Sequence, residues 1–318
     1  MKRDFVMARL LAAVLAACCL CSPAAADSAQ AGAESGHPGR LLVAVSIPAQ
    51  KHIVEKIAGD LVEVLVVIPA DSDPHGYEPK GTQLAALARA RLLLRLGVPF
   101  EDGWAARLAG LDKGLTVVRT AEGTVMLPLP ESRSDENGLT DGDATGPNAA
   151  AAAAPVEYDP HVWLSPAAVR TMALSTAQAL AVADPAHAAA FRAGLEAMLA
   201  ETAATDAAVR QSLALVPPGT SFLAAHPAFA YFAHDYGLQE IGIERAGREP
   251  DPAGLDALSA EAGGANVRLV LVSPAFPRRV AEELAKELGA KVVSIDPLAE
   301  DWSANMIRLA AAVAEGAR

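Results

Sequence analysis

Four residues in this chain pair a metal-ligating side chain with a place where predicted elements meet: His75, His161, His226 and Asp296. His75 lies in the loop Asp73-Pro-His-Gly-Tyr-Glu-Pro79 after an apolar run, and His161 in Tyr158-Asp-Pro-His-Val-Trp-Leu164 just before a helix. His226 directly follows the apolar run Ser221–Ala225, and Asp296 directly follows Lys291–Ile295. Three neutral imidazoles and a carboxylate match a tetrahedral zinc shell, which a bidentate carboxylate or a water would expand. Tens of residues separate each from the next, so a zinc-finger hairpin is excluded and tertiary structure must assemble the site. Each residue alone has a duller reading: loop decoration for a histidine, a turn start for Asp296-Pro297, a helix entry for Asp159-Pro160. Their joint placement carries the expectation. His37, His52, His187 and His234 read as surface or packing residues.

The elements that must position them follow a βα rhythm. Strands are expected over Leu41–Ile47, Val62–Ile68, Leu92–Arg95 and Thr116–Arg119. Helices run from Pro48 to Ile57, stopped by Gly59, from a Thr82 cap to Ala90, and over Phe100–Leu108. After Pro166–Ala181, Asp184-Pro185 opens a helix with no breaker before Pro217-Pro218. Some 30 residues at 1.5 Å rise give a rod of roughly 45 Å, long enough to join two lobes. The rhythm then restarts with strands Ser221–Ala225, Leu238–Ile243, Val267–Ser273 and Lys291–Ile295. Helices Ala228–Tyr236, Asp251–Ala262, Pro277–Leu288 and one from Ser303 alternate with them. The expected fold is α/β: two Rossmann-like lobes with mostly parallel sheets, residues 40–184 and 217–318, joined by a long rigid helix over 185–216. In such sheets, ligands bind beyond the carboxyl ends of the strands, so candidates from both lobes can converge at their seam. Residues 122–156, with Glu131, Asp135, Glu136, Asp141, Asp143 and an alanine run, read as a mobile loop inside the first lobe.

Composition narrows the function. With a formal net charge of −12, an electrostatic grip on nucleic acid is excluded. Lys2 and Arg3, the short apolar run Leu10–Leu20 and Ala24-Ala25-Ala26 form a signal-peptide pattern over residues 1–26, followed by a small, polar leader over 27–39. All three cysteines, Cys18, Cys19 and Cys21, fall in that segment, so neither a disulfide nor a thiolate site is available after cleavage. Leu15-Ala16-Ala17-Cys18 is also a lipoprotein-type processing box, an alternative that would leave Cys18 lipidated. Either route predicts a location outside the cytoplasm, periplasmic in the first case.

The segments quoted for His75 and His161, together with His226-Pro-Ala-Phe-Ala-Tyr-Phe-Ala-His-Asp-Tyr-Gly-Leu238, Glu249-Pro-Asp-Pro252 and Ile295-Asp-Pro-Leu298, carry a resemblance. From about Leu41 to its end the chain is similar to the zinc/manganese solute-binding proteins of bacterial ABC importers. The resemblance implies two α/β lobes joined by one long helix, a metal ion between them held by His75, His161, His226 and Asp296, and only a small closure on binding. It implies delivery to a membrane permease and its ATPase at the inner membrane by a monomeric protein without enzymatic activity. Family members dedicated to manganese usually carry Glu where this chain has His226. Imidazole favours zinc over manganese, which prefers hard oxygens, so Zn2+ is the expected cargo with Mn2+ second. Tyr77, Glu78 and Trp163 flank the ligands as candidate supporting residues. Two departures stand out: Ser165 replaces a usual Asp, and the 122–156 segment occupies the place of a His-rich loop yet has no histidine.

Two rivals remain at this level. Three histidines plus water is also a catalytic zinc pattern, although no His-Glu-x-x-His or Gly-x-Ser-x-Gly motif accompanies it. The other is a metal-dependent adhesin with no transport role.

Overall fold

A computed structural model describes residues 40–70, 72–111, 114–129, 157–245 and 247–318. Strands β1 (Leu41–Val45), β2 (Val62–Val66), β3 (Leu92–Arg95) and β4 (Thr116–Arg119) form one sheet, in the order β2-β1-β3-β4. Strands β5 (Ser221–Ala224), β6 (Gln239–Gly242), β7 (Leu269–Val272) and β8 (Lys291–Ser294) form a second, ordered β6-β5-β7-β8. Every pairing is parallel. The sequence shows two halves of similar type but no repeat; the structure gives both halves one strand order.

Inner strands covered on both faces should be apolar throughout. β3, β5 and β7 are buried at every residue, whereas the edge strands β4 and β8 are partly exposed. Side chains alternate across a strand, and the second sheet uses this to face two cores. Phe222, Ala224, Leu269 and Leu271 join the large core, which also holds Val43, Leu93 and Leu94 of the first sheet. Leu223, Val270 and Val272 point the other way, into a smaller core that includes Leu258 and Leu284. The two lobes therefore share packing across their seam.

The first half supplies helices α1 (Pro48–Ala58), α2 (Gly81–Leu87), α3 (Asp102–Leu111) and α4 (Pro166–Ala183). A 3-10 turn, Pro185–His187, leads into the joining helix α5 (Ala188–Ser212), whose 25 residues span roughly 37 Å at 1.5 Å each. It packs against α1 and α4 on one side of the seam and against α9 (Trp302–Gly316) on the other. Gly194 permits the closest approach, because a Cβ there would lie 2.0 Å from the Ile57 carbonyl oxygen at the end of α1. Helices α6 (Ala230–Tyr236), α7 (Pro252–Gly264) and α8 (Arg279–Leu288) complete the second half. Asp251 and Asp301 cap α7 and α9, accepting from the Gly254 amide at 2.8 Å and the Ala304 amide at 3.0 Å.

Three expectations need adjusting. Thr82 caps nothing: Lys80 is the extended residue before α2, so Thr82 lies one position inside the helix. The joining helix is shorter than 185–216 because its ends tighten or unwind at Pro185–His187 and Leu213. The segment expected to be irregular from 122 is ordered at its start: the Leu129 amide donates to Glu157 O (2.9 Å) and the Asp159 amide to Leu127 O (2.8 Å), around an antiparallel bridge between Pro128 and Tyr158. The signal segment, leader, Cys18, His37 and the acids from Glu131 to Asp143 lie outside the described residues. Among the described residues, no helix is long and apolar enough to cross a membrane.

Candidate metal centre

Each histidine is fixed by its own loop. His75 follows β2, and its amide donates to Asp73 Oδ1 at 2.9 Å. His161 uses the same Asp-Pro-His turn, its amide donating to Asp159 Oδ1 at 2.8 Å, but here the carboxylate also reaches the ring nitrogen Nδ1 at 2.8 Å. His226 leaves the end of β5, where its Nδ1 meets Glu244 Oε2 at 3.0 Å and its ring stacks on Phe276 with centroids 4.0 Å apart and planes 4° from parallel. Ser165 caps α4: its Oγ accepts from the Ala168 amide at 3.3 Å and donates to Asp235 at 2.6 Å.

These loops bring three Nε2 atoms to one point. His226 Nε2 is 3.3 Å from both His75 Nε2 and His161 Nε2, and one ligand atom from each ring lies within 4.8 Å of the others. A carboxylate on Nδ1 holds the proton there and aims the Nε2 lone pair inward. Two of the rings are fixed in this way. Three ring nitrogens this close could together hold a metal ion.

The electrostatics agree. Burial, and then the neighbouring His161 and His226 rings, push the His75 pKa down to about 4. Burial lowers that of His226 as well, against the opposing pull of Glu244. Both rings are thus neutral and able to ligate at pH 7. His161 is 3% exposed and His226 9%, whereas His75 is exposed at the rim.

Asp296 stands beyond β8, in the wall of the same cavity as His161 and His226, and burial raises its pKa. Its oxygens fall outside the mutual 4.8 Å set, which contains the three histidines alone among the described residues. One oxygen, Oδ1, accepts from the Leu298 amide at 2.9 Å. The expected supporting residues divide. Trp163 forms a wall, its ring centroid 5.3 Å from that of His161. Tyr77 donates instead to Gln83 at 2.8 Å, and Glu78 pairs with Arg107 at 2.9 Å on the surface, because their loop turns both side chains toward α2 and α3.

Trp163 also ties the lobes together. Its Nε1 donates to Pro297 O at 2.7 Å, while Trp302 Nε1 donates to Trp163 O at 2.8 Å. Lys51 of α1 adds an ion pair to Glu300 at 2.8 Å. The loop bearing Asp296 is therefore held to the loop bearing His161.

The carboxylates behind the rings, Asp159 and Glu244, are the functional residues that sequence reasoning missed. Asp159 carried a signal, since Asp-Pro-His occurs at both 73–75 and 159–161. Glu244 carried none; it comes from the end of β6 and meets His226 only through sheet pairing. The other described histidines lie elsewhere: His52 pairs with Glu201 (2.6 Å), His187 with Asp184 (2.6 Å) and His234 with Asp235 (3.4 Å).

Two parallel-sheet lobes braced by a long helix, with three inward imidazoles at their seam, define a two-lobed solute receptor with a metal site. The chain belongs to the ZnuA family, the periplasmic component A of the zinc-uptake complex, whose model matches residues 43–316. It is similar to a crystal structure of ZnuA, with 35% identity and a TM-score of 0.77, covering 87% of this chain and 98% of that one. A ZnuA deletion mutant with zinc bound is 35% identical with a TM-score of 0.76, over the same shares of 87% and 98%. The high-affinity zinc uptake system protein ZnuA of Bacillus subtilis (strain 168) is 25% identical, over 90% of this chain and 87% of that protein.

Proposed function

We propose that this chain is the extracytoplasmic substrate-binding component of an ABC importer, which captures Zn2+ at the seam of its lobes and delivers it to a membrane permease. The observation that carries this reading is the convergence of the His75, His161 and His226 Nε2 atoms, backed by family membership. His75, His161 and His226 are the proposed ligands, and Asp296 the carboxylate on the fourth side. Three imidazoles favour zinc, and Mn2+ is a weaker competitor because only Asp296 offers hard oxygen. Export by the 1–26 signal segment to the periplasm, with lipidation at Cys18 as the alternative, completes the proposal. The permease and its ATPase at the inner membrane are the proposed partners of a monomer.

The cavity favours cargo over catalysis. The space open to the centre of a water molecule beside the histidines is about 10 Å³, far below the 300–1,000 Å³ typical of small-molecule sites. A hydrolase would need room for its substrate next to the ion.

The test is His161→Ala, assayed by zinc competition against a chromogenic chelator. The expected outcome is at least a 100-fold loss of affinity, with unchanged circular dichroism in the metal-stripped protein. Affinity equal to that of the parent chain would overturn the site. Ester or peptide hydrolysis by the zinc-loaded protein would favour the catalytic rival. Normal growth of a deletion strain under zinc limitation would favour the adhesin.

A further inference from the structure

Ser273 sits directly after β7, at the same sheet end as His226 and Asp296, and is 5% exposed. Its Oγ is buried and has no hydrogen-bond partner among the described residues. It lines the cavity shared by His161, His226, Phe276 and Asp296. Asp296 uses Oδ1 on the Leu298 amide, and its second oxygen has no donor among the described residues. The cavity thus joins an unpartnered hydroxyl, a carboxylate oxygen with no donor among the described residues and two of the three converging imidazoles, His161 and His226.

Its size and polar lining suit water. A buried water needs a space of about one water-sized sphere, about 10–15 Å³, and two to four polar partners; here the space open to a water's centre alone is about 10 Å³, so the cavity admits water. A water molecule fits, and the Ser273 hydroxyl and the Asp296 carboxylate in the lining are polar partners for it. Asp296 lies outside the mutual ligand set of the histidines but lines the same cavity, so its carboxylate neighbours any water held there. The Trp163–Pro297 and Trp302–Trp163 hydrogen bonds hold the Asp296 loop in place.

We propose that Ser273 is a further residue of the metal site: with Asp296 it holds one water molecule on the fourth face of the ion, so that the aspartate acts through this water and not by a direct bond. The Ser273 hydroxyl accepts one water hydrogen or donates to the water oxygen, and the Asp296 carboxylate accepts the other hydrogen. The water oxygen lone pair faces the metal. The consequence is functional. Sites that keep one position for water exchange that ligand, whereas sites closed by four protein ligands hold their metal structurally. A cargo ion must leave, and the water position gives an incoming ligand of the permease its point of entry. This inference rests on the three-histidine reading above.

Two measurements test it, with zinc as the probe. A high-resolution crystal structure of the zinc-loaded full chain should show a water within hydrogen-bond reach of Ser273 Oγ and at bonding distance from zinc. An Asp296 oxygen bonded to zinc at about 2.0–2.2 Å would overturn it. Ser273→Ala, with an unchanged melting temperature when metal-free, should weaken zinc about 10-fold, within the range seen for outer-shell partners. Asp296→Asn should weaken it similarly, and the double variant should lose less than the product of the two. Parental affinity in Ser273→Ala would sink the inference alone. The three-histidine site fails separately, if His161→Ala also binds zinc as the parent does.

Discussion

Replacing Asp159 by Asn isolates the charge behind one proposed metal ligand while sparing its shape. Asp159 is 2% exposed, and its Oδ1 holds both the amide and the Nδ1 of His161 at 2.8 Å. An Asn oxygen can accept both hydrogen bonds, so the change removes mainly the negative charge. An ion bonded to the far ring nitrogen at about 2 Å would lie roughly 6–7 Å from that carboxylate. At an effective dielectric constant of about 20, such a separation is worth about 2–3 kcal/mol per unit of ionic charge. Charge shared with the ligands and water at the exposed His75 rim reduce this, which brings it into the 10- to 100-fold range of outer-shell partners, about 1.4–2.8 kcal/mol. Asp159→Asn should therefore bind zinc 10- to 100-fold more weakly, measured by competition with a chromogenic chelator. Asp159→Ala should bind more weakly still and should also unfold more easily, because two buried N–H groups lose their acceptor. Affinity within twofold of the parent in Asp159→Asn would refute the claim that this carboxylate tunes His161.

Two further outcomes follow from the same geometry. The lowered His75 and His226 pKa values mean that the unfolded chain takes up protons first as pH falls below about 6.5. Metal-free stability should therefore be fully present above that pH and decline as pH drops toward about 4. Thermal melts of metal-stripped protein should show this slope, reduced in His75→Ala; an identical slope in that variant would contradict the shift. Trp302→Phe deletes the donor to the buried Trp163 carbonyl and leaves it unsatisfied, at a cost of about 1–3 kcal/mol. Denaturant titration should show that loss, and an unchanged midpoint would mean the inter-lobe clasp contributes nothing.

Much of the architecture was written in local pattern. The apolar runs of β3, β5 and β7, Pro48 at the start of α1, and Pro252 behind Asp251 each act on near neighbours, so they could be read without coordinates. The histidines were also legible, because His75 and His226 follow apolar strand runs and His161 stands just before a helix, which local pattern reveals. Glu78 shows the limit. Three residues after His75 in sequence, it was expected to support the site, yet its loop turns the side chain toward Arg107.

The amino-acid order by itself determined the two α/β halves, the long helix between them, and which three imidazoles could bind a metal. Tertiary structure alone decided that their Nε2 atoms meet, that Glu244 backs His226 from beyond the end of the neighbouring strand β6, and that Asp296 lines a cavity with room for water. The reason is physical. Propensity and periodicity act over a few residues, whereas coordination depends on distances of a few ångströms between groups that only the packing of both lobes brings together.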